Sequence, residues 1–204
     1  SIALGDPSFL LPYLPKSLID LKLKSNYDVT FPSGLKIENL LFRGPSLTVP
    51  STVTSLDIGP RLPRGGSTVT LSPGIKLSYL AFGMVGVNQN WTTDVTGLYP
   101  DSLSGLKTLV IRDPRRLDVL SKWGSVFQGT LKSLYINNTQ LFPIQSWTFD
   151  LSVFTRLVDL GVENMTAIVK YPPRLQKLET GELNPSFVPA GLGKLSTKNG
   201  SIYK

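Results

Sequence analysis

The chain has no cysteine and no histidine in its 204 residues. That removes thiol nucleophiles, disulfides, imidazole general bases and any zinc site built on Cys or His. Long apolar runs are missing too, so no stretch reaches the roughly 20 residues that a membrane-spanning helix needs. Charge is modest and not gathered into tails. Twenty-one basic residues against 14 acidic ones leave a net charge of +7, which reads as an ordinary basic surface rather than a nucleic-acid or lipid site. The chain opens at Ser1 without Met and without a basic-then-apolar leader, as a mature, trimmed or excerpted chain would. What is present is apolar residue: 41% of the chain is hydrophobic and 17% charged, enough to build a sizeable core and too much for disorder.

Those apolar residues repeat. In Leu18-Ile-Asp-Leu21-Lys-Leu23-Lys-Ser-Asn26 they fall at relative positions one, four and six, with Asn at nine. The one-four-six frame returns at Ile37/Leu40/Phe42, Val53/Leu56/Ile58, Leu77/Leu80/Phe82 and Leu106/Leu109/Ile111. It continues at Leu131/Leu134/Ile136, Leu157/Leu160/Val162, Leu175/Leu178/Thr180 and Leu192/Leu195/Thr197. Ile2 and Leu4 fit positions four and six of an earlier unit. Proline-bearing turns lead into several frames, at Leu14-Pro-Lys-Ser-Leu18, Phe31-Pro-Ser-Gly-Leu35, Val49-Pro-Ser-Thr-Val53 and Tyr171-Pro-Pro-Arg-Leu175. Proline fixes φ and gives no ladder hydrogen bond, so it belongs where the chain turns into a strand. Turn, short strand, turn and return segment make one coil of a solenoid. Short units such as 37–52 have room only for extended return backbone. Longer ones have room for a helix, and the spacing of Leu117, Leu120, Trp123 and Phe127 predicts one. Trp147–Phe154 is a second, shorter helix candidate. The aromatics of both read as core packed between helix and sheet.

At Leu18–Asn26 the chain resembles the leucine-rich-repeat family. Leu14-Pro-Lys-Ser-Leu18 is similar to the short proline-containing units of bacterial effector repeats. Val53-Thr-Ser-Leu56-Asp-Ile58-Gly59 and Leu77-Ser-Tyr-Leu80-Ala-Phe82-Gly83 resemble the protist and viral repeats named for Phe-Asn-Ile-Pro. The resemblance implies parallel strands stacked in a curved rod, a protein partner on its concave face, and a buried asparagine at Asn26. Asn138, Asn164 and Asn199 stand one position early for that role. The expected fold is thus a β-rich leucine-rich-repeat solenoid with few short helices, a single array over 1–204 with caps missing or atypical. A parallel β-helix is the alternative, since it shares stacked parallel strands and a period in the twenties.

If positions four and six face inward, three, five and seven face out. The outward stripe is basic at the start, through Lys22, Lys24 and Arg43. Its middle is apolar and aromatic, with Tyr79, Ala81, Val110 and Tyr135 beside Arg112. Tyr and Arg anchors among small apolar contacts are the usual make-up of a protein-binding hot spot. These five residues are the expected partner site, and the expected function is non-catalytic protein recognition. Two alternatives stay open: a structural or adhesive subunit of a larger assembly, and a carbohydrate-active β-helix.

Catalytic chemistry has little to stand on. The register sets Asp57 between Leu41 and Ala81, and Asp159 between Ser133 and Lys177, and lets Glu163 approach Glu179 only diagonally. Acid–base cleavage of a glycoside needs a closer carboxylate pair across a cleft. Ser33-Gly-Leu-Lys36 and Ser104-Gly-Leu-Lys107 have the spacing of a serine–lysine nucleophile, but they fall at equivalent turns of the repeat. Arg112, Arg115 and Arg116 are diluted by Asp113 and Asp118. No phosphate-cradling glycine loop is present. No cofactor, metal, nucleic acid or membrane span is expected; a protein is the expected partner, with a glycan second. Asn90-Trp-Thr, Asn137-Asn-Thr, Asn164-Met-Thr and Asn199-Gly-Ser are N-glycosylation acceptors, and they point to secretion or the cell surface.

Overall fold

All nine one-four-six frames form short β-strands, and the residue at position four of each is buried. The computed structural model describes residues 2–3, 10–59, 67–82, 93–112, 117–137, 148–163, 167–180, 191–197 and 200–203. They fall into two units, Ser1–Leu106 and Lys107–Lys204. Both are repeat β-solenoids of stacked parallel strands.

In chain order the first unit contains β1 (Ile2–Ala3), β2 (Asp20–Lys24), β3 (Asn39–Arg43), β4 (Ser46–Val49), β5 (Ser55–Ile58), β6 (Ser67–Leu71), β7 (Tyr79–Phe82), β8 (Thr93–Thr96) and helix α1 (Pro100–Leu103). Strands β1, β2, β3, β5 and β7 pair in parallel as a front sheet, in the register Leu21–Leu40–Leu56–Leu80. Strands β4, β6 and β8 form a parallel back sheet. Side chains alternate across a strand, so Leu40 and Phe42 point at Leu47 and Val49 through the body of the coil. All four have 2% or less of their surface exposed.

The second unit contains β9 (Thr108–Ile111), α2 (Asp118–Phe127), β10 (Ser133–Asn137), β11 (Thr148–Asp150), β12 (Asp159–Glu163), β13 (Ala167–Lys170), β14 (Lys177–Thr180), β15 (Lys194–Thr197) and β16 (Gly200–Tyr203). Its front sheet runs β9, β10, β12, β14 and β15 in parallel, with β16 added antiparallel. The register Leu109–Leu134–Leu160–Leu178–Leu195 is the one the frame sets. Helix α2 covers one side of this core, and Phe127 stacks on Phe154 with centroids 6.0 Å apart. Trp123 is half-buried, with the Lys122 ammonium 5.2 Å from its ring centre.

One backbone motif recurs in both units. The carbonyl at position two of a frame accepts two N–H groups from the next coil. Ile19 O takes Glu38 N and Asn39 N, Lys132 O takes Val158 N and Asp159 N, and Gln176 O takes Gly193 N and Lys194 N. A carbonyl has two lone pairs, and this use of both aligns successive frames before their strands begin.

Three expectations are corrected. Ile2 pairs with Leu23, at position six rather than four, which keeps the inward parity but shifts the register by two; Leu4 lies outside the described residues. Thr148–Phe154 is not a helix, and Trp147 lies outside the described residues. Thr148–Asp150 is a strand paired with β13, and the Asp150 carboxylate then accepts the backbone N–H of Ser152 at 3.0 Å. Such an Asp-centred turn competes with helix for the same backbone groups. Asn26 is exposed, and the buried side chain at that bend is its neighbour Ser25, whose hydroxyl donates to Tyr27 O and accepts from Tyr27 N, both at 2.9 Å. The return segment of 37–52 is extended, as its length requires, and forms β4.

The passage from front to back sheet in that coil takes two residues, Gly44 and Pro45. Phe42 lies fully buried beneath it. A Cβ on residue 44 would stand 2.6 Å from Phe42 Cζ and 3.2 Å from Ser25 O. The Gly44 carbonyl accepts a 2.6 Å hydrogen bond from the buried Ser67 hydroxyl, which fixes the corner from the other side.

Candidate functional site

The outward rows of the second unit carry its polar and aromatic side chains on adjacent parallel strands. On β10, Tyr135 occupies position five and shares a rung with Val110 of β9 and Gly161 of β12. Its ring does not stand upright. It lies across Gly161, where a Cβ would be 2.5 Å from Tyr135 Cδ1. From that seat the phenol donates a short hydrogen bond to Asp159 Oδ2. The absence of a side chain at 161 is therefore what lets Tyr135 lean one strand over.

Lys177, beside Asp159 on β14, completes the group. Its ammonium is 2.8 Å from Glu179 Oε1, 3.6 Å from Asp159 Oδ1 and 6.0 Å from the Tyr135 ring centre. Asp159 Oδ1 is buried and lacks a hydrogen-bond partner among the described residues. Burial, together with the hydrogen bond to Asp159 and that carboxylate's charge, pushes the Tyr135 phenol up to about 12. The Lys177 pKa is also raised, chiefly by its hydrogen bond to Glu179. The constellation is one ammonium and one neutral phenol set against two carboxylates.

The phenol shift has a readable consequence. Tyr135 should titrate near 12, and Asp159→Asn should lower it by removing the neighbouring negative charge, while the larger contribution of burial remains. Absorbance of the tyrosinate band, compared between wild type and Asp159→Asn, would isolate this group from Tyr171, whose pKa burial also raises. Because the folded pKa is raised, the stabilisation is fully present below about pH 10 and is lost as pH rises through about 12. A stability–pH curve that is flat across that window would contradict the geometry.

The expected binding residues divide between the units. Val110, Arg112 and Tyr135 belong to the second; Tyr79 and Ala81 lie on β7 of the first. Tyr79, Arg112 and Tyr135 are half-buried. Ala81 has no exposed surface and Val110 only 9%, so neither presents the contact area expected of it. A side chain that short is covered by taller neighbours on a tightly spaced sheet. Glu179 is committed to Lys177, and Glu163 ends β12, with its side chain outside the description. Asn137 ends β10, where its backbone pairs with Glu163; Asn90, Asn164 and Asn199 lie outside the described residues. Both Ser-x-x-Lys strings lie at turns, as their equivalence predicted.

Reading the sequence found Tyr135 and Asp159 but not what joins them. Gly161 has no side chain to mark it in the outward row. A bulky residue, a glycine and a carboxylate on neighbouring rows are the available signal. A second omission is the threonines that follow buried aliphatics in the back strands, Val29-Thr30, Leu47-Thr48, Val69-Thr70 and Val95-Thr96. The four aliphatics are buried and the four threonines exposed.

Fold and site define a parallel-stranded repeat β-solenoid that displays an interlocked aromatic and charged cluster on one strand face. Scans against protein-family models, curated proteins and solved structures find no match to this chain. No helix among the described residues is long and apolar enough to cross a membrane, and none of their acidic side chains gather in threes as a metal site would require.

Proposed function

We propose that this chain is a non-catalytic recognition module of leucine-rich-repeat type that binds a protein through the front strands of its second unit. The observation that carries the reading is the cluster of Tyr135, Asp159, Lys177 and Glu179, locked in place across three strands. Side chains already held in one arrangement lose little freedom on binding, and tyrosine is among the residues that dominate protein interfaces. The geometry also favours a basic contact on the partner. A partner cation that takes Glu179 frees Lys177 to close the 3.6 Å gap to Asp159 Oδ1, so the exchange loses no ion pair.

The test is affinity capture with the intact protein from its native source, followed by titration of the captured partner against variants. Tyr135→Ala and Lys177→Ala should each weaken binding by roughly thirtyfold or more, the scale of a hot-spot residue. Thr70→Val, on the back sheet of the first unit, should leave it unchanged. Equal affinity for all three variants would refute the site. The four sequons support secretion or cell-surface display, and intact mass before and after enzymatic deglycosylation checks this: a bare-chain mass from the native source would reject it.

A further inference from the structure

We propose that the first unit carries a second binding site, a groove along three successive proline-containing or serine-containing turns that takes a neutral oligosaccharide. The groove encloses about 460 Å³ and is lined by residues of the segments 30–36 and 48–52 and by Ser72. That volume lies within the roughly 300–1,000 Å³ typical of small-ligand sites.

Its chemistry is hydroxyl chemistry. Thr30, Ser33, Thr48, Ser51, Thr52 and Ser72 all line it. Of these six, Thr52 has a side-chain hydrogen bond within the described residues, donated to Ile37 O at 2.8 Å, and it keeps its lone pairs. The other five line the same groove with donor and acceptor capacity unspent among the described residues. A hydroxyl both gives and receives a hydrogen bond, as each hydroxyl of a sugar does, so the two sets can pair in either sense.

Apolar surface and charge narrow the choice further. Phe31, Pro32 and Pro50 line the same groove and are half-buried. The negative face of an aromatic ring attracts the polarised C–H groups that a pyranose presents on its flat side. Lys36 is the one charged side chain in the lining, too little to select a polyanion and without any carboxylate to select a cation. Successive coils lie about 4.8 Å apart, so the hydroxyl pairs recur along the groove and suit an extended chain of repeating units. The turns are fixed beforehand, for example by Val53 N donating to Pro50 O at 3.1 Å, which keeps the ordering cost of binding low. Turn and strand preference explains a serine or threonine at each place singly. It does not explain why six of them line one groove together with Phe31.

Affinity electrophoresis of the whole protein through gels containing galactomannan, laminarin, hydroxyethylcellulose or soluble starch tests this. Retardation in at least one gel is expected. The pair Thr48→Val with Ser51→Ala keeps strand and turn shape but removes two hydroxyls, and should weaken the retarding interaction about tenfold or more. Phe31→Ala should do the same. Thr70→Val, whose hydroxyl pairs with Thr96 at 3.0 Å outside the groove, should bind as wild type. Migration unaffected by all four polysaccharides would overturn the proposal. So would retardation that the groove variants leave intact, or deca-proline perturbing the groove's amide resonances where the polysaccharides do not, which would assign the site to an extended peptide.

Discussion

Phe42→Ala is expected to destabilise the first unit by about 3–5 kcal/mol, the range for emptying a fully buried aromatic position. Phe42 has no exposed surface and sits under the corner that carries the chain from front to back sheet. Gly44→Ala should cost about 1–3 kcal/mol by the opposite mechanism, overpacking, since its Cβ would meet the same ring at 2.6 Å. The two changes must then be strongly non-additive. Removing the ring vacates the space that the added methyl needs, so the double variant should be scarcely less stable than Phe42→Ala alone. Urea unfolding of the four proteins in a double-mutant cycle measures this. Additive costs would mean that Gly44 is needed for some reason other than Phe42. In a solenoid each coil contacts chiefly its neighbours, so hydrogen exchange should show the lost protection concentrated in β2 to β6.

The second large effect is expected at Gly161. Adding a methyl there places a carbon 2.5 Å from the Tyr135 ring, and valine at that place is worse. Unlike Phe42, Tyr135 is half-buried and can swing outward. Gly161→Val should therefore remain folded while losing the Tyr135–Asp159 hydrogen bond, at a cost of about 1–3 kcal/mol for the carboxylate left without its donor. Titration distinguishes this from general damage. The phenol should move down from about 12 towards its ordinary value, and partner affinity should fall with it. A variant with the same late-titrating tyrosine as wild type would show that the ring is not held by the glycine seat. Tyr135→Phe, which keeps the ring on Gly161 but removes the hydroxyl, separates the contribution of the bond from that of the packing.

Much of this molecule was legible before any fold was drawn. Leucine at position four of every frame, from Leu21 to Leu195, fixed both the inward face and the register, because a strand's period of two leaves no other assignment that buries them all. The prolines marked where coils turn, and the lack of His and Cys excluded whole classes of chemistry. Two local readings gave way to side-chain hydrogen bonds at bends. Spacing made Trp147–Phe154 a helix candidate, but a local turn held by Asp150 and Ser152 displaced it. Asn26 matched a buried position in the repeat pattern, yet Ser25 filled it.

The same division runs through the two sites. Sequence alone placed Tyr135 and Asp159 in outward rows and put serines and threonines in turns and strands. Only the stacking of coils decided that the Tyr135 ring lies over Gly161 to reach Asp159, and that six serines and threonines up to 42 residues apart share a groove with Phe31. Inward positions are set by each strand's own alternation, which one sequence records. Outward groupings arise from residues about a coil apart being brought to within 4.8 Å, and coils of uneven length leave no fixed period from which to read them.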